Sequence, residues 1–253
     1  MTNILLCGAC GKMGHAVAHA ASENPDINIA AGYDTFEGST DFPIYSDPFD
    51  VTEKIDAIID FSHPLMTDKI IDYAKATHTP AVICTTGLSA DQTSRIEYES
   101  KFVPIFVSAN MSLGINLIID LVCRAAKILE SNFDIEILEK HHNQKLDAPS
   151  GTALAIADAI SAAVSYAPEY TYDRHSVRQK RGKNEIGIHS VRGGTIVGEH
   201  TVIFAGNDET IEFTHKAASK EVFAVGALRA AEFIKDKESG LYAMKDLISA
   251  QQA

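Results

Sequence analysis

Residues 139–160, "EKHHNQKLDAPSGTALAIADAI", bring His141, His142 and Lys145 together at the end of a strand-like run and just ahead of a helix-like one. Five residues after Lys145 comes "SGTA", Ser150–Ala153, where that helix should begin. The first turn of a helix has N–H groups without intrahelical partners. With the Ser150 and Thr152 hydroxyls, such a turn makes a carboxylate site. Lys145 adds a cation for an anionic group or for developing negative charge, and a histidine can pass protons near neutral pH. The plainer alternative is a polar loop ahead of a helix capped by Asp147 or Ser150. A metal held by His141 and His142 is disfavoured, because adjacent residues on a strand point to opposite faces.

The second chemical stretch is "LLCGACGKMGHAVAHA", residues 5–20, which overlays two signatures. Cys7 and Cys10 form a Cys-x-x-Cys, while Gly8, Gly11 and Gly14 form a Gly-x-x-Gly-x-x-Gly between a strand and a helix. No second pair of ligands stands at zinc spacing, and a thiol inside the apolar run "ILLC" would be inert. The glycines fit dinucleotide binding better. They let backbone N–H groups approach a pyrophosphate at a helix N-terminus, and Asp34, ending the next strand, would accept hydrogen bonds from the adenosine ribose.

The elements that must position these residues alternate through the first half. "NILLCG", "INIAAGYD", "IDAIIDFS", "PAVICTTG" and "VPIFVSAN" read as strands, with helical segments between them. They are apolar almost throughout, as expected of a parallel sheet covered on both faces. After Asn110 the pattern changes. "LGINLIIDLVCRAAKILE" is a long amphipathic helix and "DIEILEKHH" a strand, followed by the alanine-rich helix. "EIGIHSVRGG", "IVGEHTVIFAG" and "ETIEFTHKA" then read as three successive antiparallel strands. The tail, including "LYAMKDLIS", reads as helical, and the basic segment "YTYDRHSVRQKRGKN" as a mobile surface loop. The expected fold class is α/β: a doubly wound Rossmann-type dinucleotide-binding domain (1–112 and 219–253), then an α+β domain (113–218) with a mainly antiparallel open sheet.

Composition narrows the partners. A net charge of −12 argues against a nucleic-acid surface, which needs clustered Lys and Arg. No apolar stretch has the length and continuity of a membrane span, and no signal peptide is visible. Four cysteines in 253 residues do not make a disulfide framework. A reduced, cytoplasmic setting is expected, with no metal.

Taken together, "GACGKMG", "DFSHP", "CTTG", "SANMSLGIN" and "EKHHNQKLDAPSGTA" resemble the 4-hydroxy-tetrahydrodipicolinate reductase (dihydrodipicolinate reductase) family of the diaminopimelate route to lysine. The likeness continues through "VRGGTIVGEHTVIFAGNDETIEFTHKAASKEVFAVGALRAA" to "ESGLY". It implies NAD(P)H-dependent hydride transfer to a cyclic imine dicarboxylate. His141 would be the general acid, and Lys145 would stabilise the ring nitrogen or help deliver the proton. His142, Lys145, Ser150, Gly151 and Thr152 would bind substrate, with Thr86 touching it from the cofactor domain. Gly8, Gly11, Lys12, Met13 and Gly14 would form the pyrophosphate loop and Asp34 the ribose contact. Phe61, Thr85, Thr86, Gly87, Ser108, Ala109, Asn110 and Met111 would surround the nicotinamide at the strand ends. Thr35, Phe36 and Glu37 follow Asp34 where NADPH users often carry an arginine, so NADH preference or dual use is expected. The family also implies a homotetramer built through the second domain's sheet. Another two-domain dehydrogenase, or a nucleotide-sensing regulator, would account for the glycine loop but not for the His-His-x-x-Lys-x-Asp-Ala-Pro-Ser-Gly-Thr string.

Overall fold

A computed structural model describes residues 1–36 and 38–250, which divide into two units. One is Met1–Leu113 with the chain from Lys220 onward, and the other is Gly114–Ser219.

The first unit is built on strands β1 (Thr2–Cys7), β2 (Ile27–Tyr33), β3 (Ile44–Tyr45), β4 (Ala57–Asp60), β5 (Ala81–Ile83) and β6 (Pro104–Val107). A late strand, Gly240–Tyr242, is the twelfth in chain order (β12). All seven run parallel in the order β12-β6-β5-β4-β1-β2-β3. The central strands are apolar on both faces because both faces are covered. Ile4, Leu6, Ala57, Ile59 and Val82 point into one core with α1 (Lys12–Ser22), α6 (Glu221–Ile234) and α7 (Met244–Ala250). Their neighbours Leu5, Cys7, Ile58, Ala81 and Ile83 point into another with α2 (Pro64–Thr77) and α3 (Ala90–Glu99). The strand order reverses at β1 and β4, so their carboxyl ends open a crevice where such folds bind ligands.

The second unit carries a five-stranded sheet in the order β11-β10-β7-β9-β8. Its strands are β7 (Asp134–His141), β8 (Glu169–Thr171), β9 (Glu185–Arg192), β10 (Gly198–Ala205) and β11 (Thr210–Ala217). Helices α4 (Leu113–Leu129) and α5 (Gly151–Ala163) cover one face, burying Val122, Ala126, Ile156 and Ile160 against Ile135, Ile137, Val202 and Phe204.

The α/β class with a doubly wound parallel sheet is borne out, and three details are corrected. The second sheet is mixed: β10 is antiparallel to β7 and β11, but β9 runs parallel to both β7 and β8. Consecutive strands β9 and β10 therefore never pair, since β7 lies between them. Leu241 and Tyr242, expected in a helix, belong to β12 and pair with Ile105 and Phe106. The basic segment is anchored: Tyr170 and Thr171 lie in β8, Arg174 reaches Glu136 and Glu185 (2.7 Å each), and Arg181 reaches Glu136 (3.0 Å) and Asp134 (2.9 Å).

Candidate active site

In the first unit the glycine loop joins β1 to α1 at the reversal point. Gly8 has φ +76°, and a β-carbon there would come within 2.7 Å of the Phe61 carbonyl oxygen. A β-carbon on Gly14 would overlap the carbonyls of Gly8 and Ala9, so α1 packs this closely only with glycine there. Gly11 caps α1 with no side-chain hydrogen bond, leaving the helix entrance to backbone N–H groups alone. Asp34 is buried and accepts hydrogen bonds from Cys10 N (2.9 Å) and Phe36 N (3.1 Å), fixing the loop against the end of β2. Cys7 is fully buried, and burial, then Asp60 and Asp34, push its thiol well above the ordinary range, which suits core packing and not redox exchange.

The loop borders a cleft of 810 Å³ lined by Gly8, Gly11, Asp34, Phe36, Phe61 and Thr86, among others. His15, Ser62 and His63 also line it. Asp60 anchors this edge. It is buried, and its carboxylate accepts from Ser62 N (2.8 Å), Ser62 Oγ (2.5 Å) and Thr67 Oγ1 (3.4 Å). Burial raises its pKa, against the opposing pull of these donors. Absent side chains at Gly8 and Gly14, the N-terminus of α1 and a cleft at the switch point fit a dinucleotide pyrophosphate.

In the second unit His141 ends β7 with its Nδ1 2.6 Å from Glu139 Oε2. Glu139 has no exposed surface. Arg192 grips its carboxylate with two bonds, Nη1 to Oε2 (2.8 Å) and Nη2 to Oε1 (2.7 Å), and Ser150 N donates to Oε1 (3.1 Å). Burial alone would raise Glu139. The bonds from Arg192, His141 and Ser190 outweigh it and hold the group down at about 2. Ser150 caps α5 by accepting from Ala153 N (3.2 Å), and its Oγ is 3.0 Å from His200 Nε2. Burial, then the neighbouring His141, lower His200 to about 4. Lys145 Nζ pairs with Asp147 Oδ1 (2.9 Å). That bond, with another from Gly151 N, draws Asp147 below the usual carboxylate range. A β-carbon on Gly151 would meet nothing within 4 Å, so space lies beside the first residue of α5. The site can hold a carboxylate between Lys145 and the α5 N-terminus while His141 handles a proton.

Two family models match the chain: "Dihydrodipicolinate reductase, N-terminus" over residues 2–111 and "Dihydrodipicolinate reductase, C-terminus" over residues 114–248. The chain belongs to the dihydrodipicolinate reductase family. A 4-hydroxy-tetrahydrodipicolinate reductase of Caldanaerobacter subterraneus subsp. tengcongensis is 52% identical over 248 residues, with 98% of each chain covered. One from Clostridium novyi is 46% identical over 252 residues, covering 99% of this chain and all of that one. Among solved structures, the dipicolinate-bound dihydrodipicolinate reductase of Paenisporosarcina sp. TG-14 superposes with a TM-score of 0.81 at 23% identity, covering 96% and 97% of the two chains. A myo-inositol dehydrogenase of Corynebacterium glutamicum shares the fold more distantly, with a TM-score of 0.62 at 17% identity. The resemblance read from the motifs is borne out over the whole chain.

Within this dihydrodipicolinate reductase fold, the expected residues fall unevenly. Gly8, Gly11, Asp34, Phe61 and Thr86 line the cleft, whereas Lys12 is exposed at the start of α1 and Met13 packs partly on the core. Thr86, Gly87 and Ala109 are exposed beyond β5 and β6, and Ser108 and Asn110 are half-buried. Thr85 is buried, with Oγ1 3.3 Å from the Ser62 carbonyl oxygen. Met111 is 1% exposed, its side chain packed within the core beside α6. Glu37 lies outside the described residues. His142 and Lys145 share a tight loop, Lys145 N donating to the His142 carbonyl (3.2 Å), and Thr152 stands in the first turn of α5. Glu139, Arg192 and His200 were given no role by sequence reasoning. Glu139 was within reach, because it lies two residues before His141 and so on the same strand face. Among the described residues no group of three or more His, Cys, Asp or Glu is placed to hold a metal, and no helix is long and apolar enough to cross a membrane.

The depressed pKa of His200 sets a pH dependence of stability. Its folded value of about 4 lies below the ordinary 6.5, so the stability it confers is complete above pH 6.5 and is lost as pH falls towards 4. His215, lowered by burial, acts in the same direction. Urea denaturation across this range should show falling stability for the native protein and a shallower fall for His200→Gln. An unchanged slope in the variant would contradict the assignment.

Proposed function

We propose that the chain is a 4-hydroxy-tetrahydrodipicolinate reductase acting in diaminopimelate and lysine biosynthesis in the cytoplasm. The observation that carries the reading is the joint attachment of His141 and the α5 N-terminus to one buried carboxylate, with Lys145 in the loop between them. A planar dianionic substrate needs cations and fixed N–H donors, and this loop provides both.

The glycine loop of Gly8, Gly11, Lys12, Met13 and Gly14 would hold the pyrophosphate, Asp34 the adenosine ribose, and the β4, β5 and β6 ends the nicotinamide ring. When bound there, a reduced nicotinamide would supply the hydride for the reduction. The chain's own residues do the rest. Ser150, Gly151 and Thr152 hold one substrate carboxylate at the entrance to α5, with His142 as a further contact. Lys145 exchanges its bond to Asp147 for the substrate and stabilises the ring nitrogen. His141 gives the ring a proton. The substrate thus gains one hydride and one proton and loses water overall.

Thr35 and Phe36 follow Asp34, and no arginine stands there to meet a 2′-phosphate. NADH is therefore used preferentially or as well as NADPH. Assembly is a homotetramer through the second unit's sheet, whose uncovered face presents half-exposed Leu138, Thr201 and Ile203 and the exposed Thr214. A monomer in sedimentation equilibrium would count against that assembly.

The deciding experiment supplies freshly generated dihydrodipicolinate synthase product and follows nicotinamide absorbance with NADH and NADPH separately. Turnover with kcat/KM for NADH at least equal to that for NADPH is expected, and a strong NADPH bias contradicts the cofactor reading. Lys145→Ala should lose about 100-fold or more in kcat/KM while NADH binding persists. Collapse of NADH affinity in that variant would refute the division of roles between the units.

A further inference from the structure

We propose that Glu139 is a positioning residue for His141: its carboxylate keeps the imidazole hydrogen on Nδ1, leaves Nε2 as the atom that exchanges a proton, and ties the ring to the entrance of α5. Arg192 Nη1 and Nη2 and Ser150 N can only donate, and they aim three N–H groups at Glu139 at 2.8, 2.7 and 3.1 Å. A fully buried carboxylate so surrounded stays ionised, and an ionised carboxylate only accepts. The hydrogen in the 2.6 Å contact therefore belongs to His141 Nδ1. The ring's other nitrogen is left for chemistry. Nε2 faces Gly198, where a β-carbon would approach to 3.1 Å, so the missing side chain keeps space beside it.

The surrounding charges are consistent with this role. His200 on β10 stands with its ring centroid 5.2 Å from that of His141 and is kept neutral by burial, so it sets no second cation beside the ring. Arg192 on β9 balances the buried charge and also donates to the Asp147 carbonyl (2.6 Å), which ties the 142–149 loop to the same carboxylate. One negative charge thus holds the hydrogen on Nδ1, so that the proton given is one first taken up on Nε2, and it fixes the ring's orientation and the loop carrying Lys145. That Nε2 meets substrate rests on the reductase reading. The location of the hydrogen does not.

Glu139→Gln tests the role with little change of shape. The new amide must turn its NH₂ towards one side. Facing Ser150 N and Arg192 Nη2 would set it against two donors, whereas facing His141 sets it beside Arg192 Nη1 and a ring able to become an acceptor. The second arrangement costs less, and it moves the imidazole hydrogen to Nε2. Long-range ¹H–¹⁵N spectra of histidine-labelled protein, with His141 assigned by His141→Asn, should show the Nδ1–H tautomer in the native protein and Nε2–H in Glu139→Gln. An Nε2–H tautomer in the native protein, or no change in the variant, overturns the proposal. If the variant does not fold, the native spectrum decides alone. In the reductase assay, kcat of Glu139→Gln should fall about 100-fold with KM for the dicarboxylate held within about twofold, because Ser150 N keeps an acceptor. A raised KM with unchanged kcat would mean a merely structural role. If the native protein reduces no such substrate, the functional reading fails and the spectra still decide the tautomer.

Discussion

A carboxylate with no access to water must find its partners inside the protein, and Glu139 finds them on four segments. It receives Arg192 from β9, Ser150 N at the head of α5 and the His141 ring from its own strand, and through Arg192 it reaches the Asp147 backbone. Arg192 supplies the balancing charge, so removing it would leave the carboxylate buried and uncompensated, while Ser150 N and His141 occupy its remaining lone pairs. That is why a polar loop between a strand and a helix can present His141, Lys145 and the α5 entrance in fixed relation. The scaffold beneath is apolar: Ile135, Ile137, Ile156 and Ile160 hold β7 and α5 together, and the polar knot settles only their ends.

The two units use helix entrances in complementary ways. At α1 the cap is Gly11 with no side-chain bond, and the glycines let the loop close against the Phe61 carbonyl. Such an entrance is shaped for a phosphate pressed against backbone. At α5 the cap is Ser150, and the Asp147 carboxylate draws bonds from Lys145 and Gly151 N in the chain alone. An internal carboxylate thus rests on the donors that suit a carboxylate ligand. Asp34 and Asp60 serve the first unit as Glu139 serves the second, using backbone N–H and hydroxyl donors to fix loops at strand ends.

Periodicity made β1, β2, β4, β5 and β6 legible, because strands covered on both faces must be apolar at every position. It could not reveal β3 or β12, whose two and three residues carry no period. Nor could it place β9 beside β7, since strand pairing depends on long-range register and not on sequence order. The same limit hid Arg192. It sits opposite His141 in the β7–β9 register, yet 53 residues from Glu139 in sequence. The glycine loop and the 139–153 string were visible because their spacing is local. Met111, at the end of "SANM", has its side chain in the core beside α6, a packing that the local spacing does not reveal.

If the α5 entrance is a carboxylate site served by Lys145, a ligand carboxylate should displace Asp147 there. A crystal structure of the protein with pyridine-2,6-dicarboxylate and NADH tests it most directly. One carboxylate is expected on Ser150, Gly151 and Thr152, with Lys145 turned from Asp147 to the ligand. A ligand bound elsewhere, or Lys145 still paired with Asp147 beside an occupied site, would contradict it.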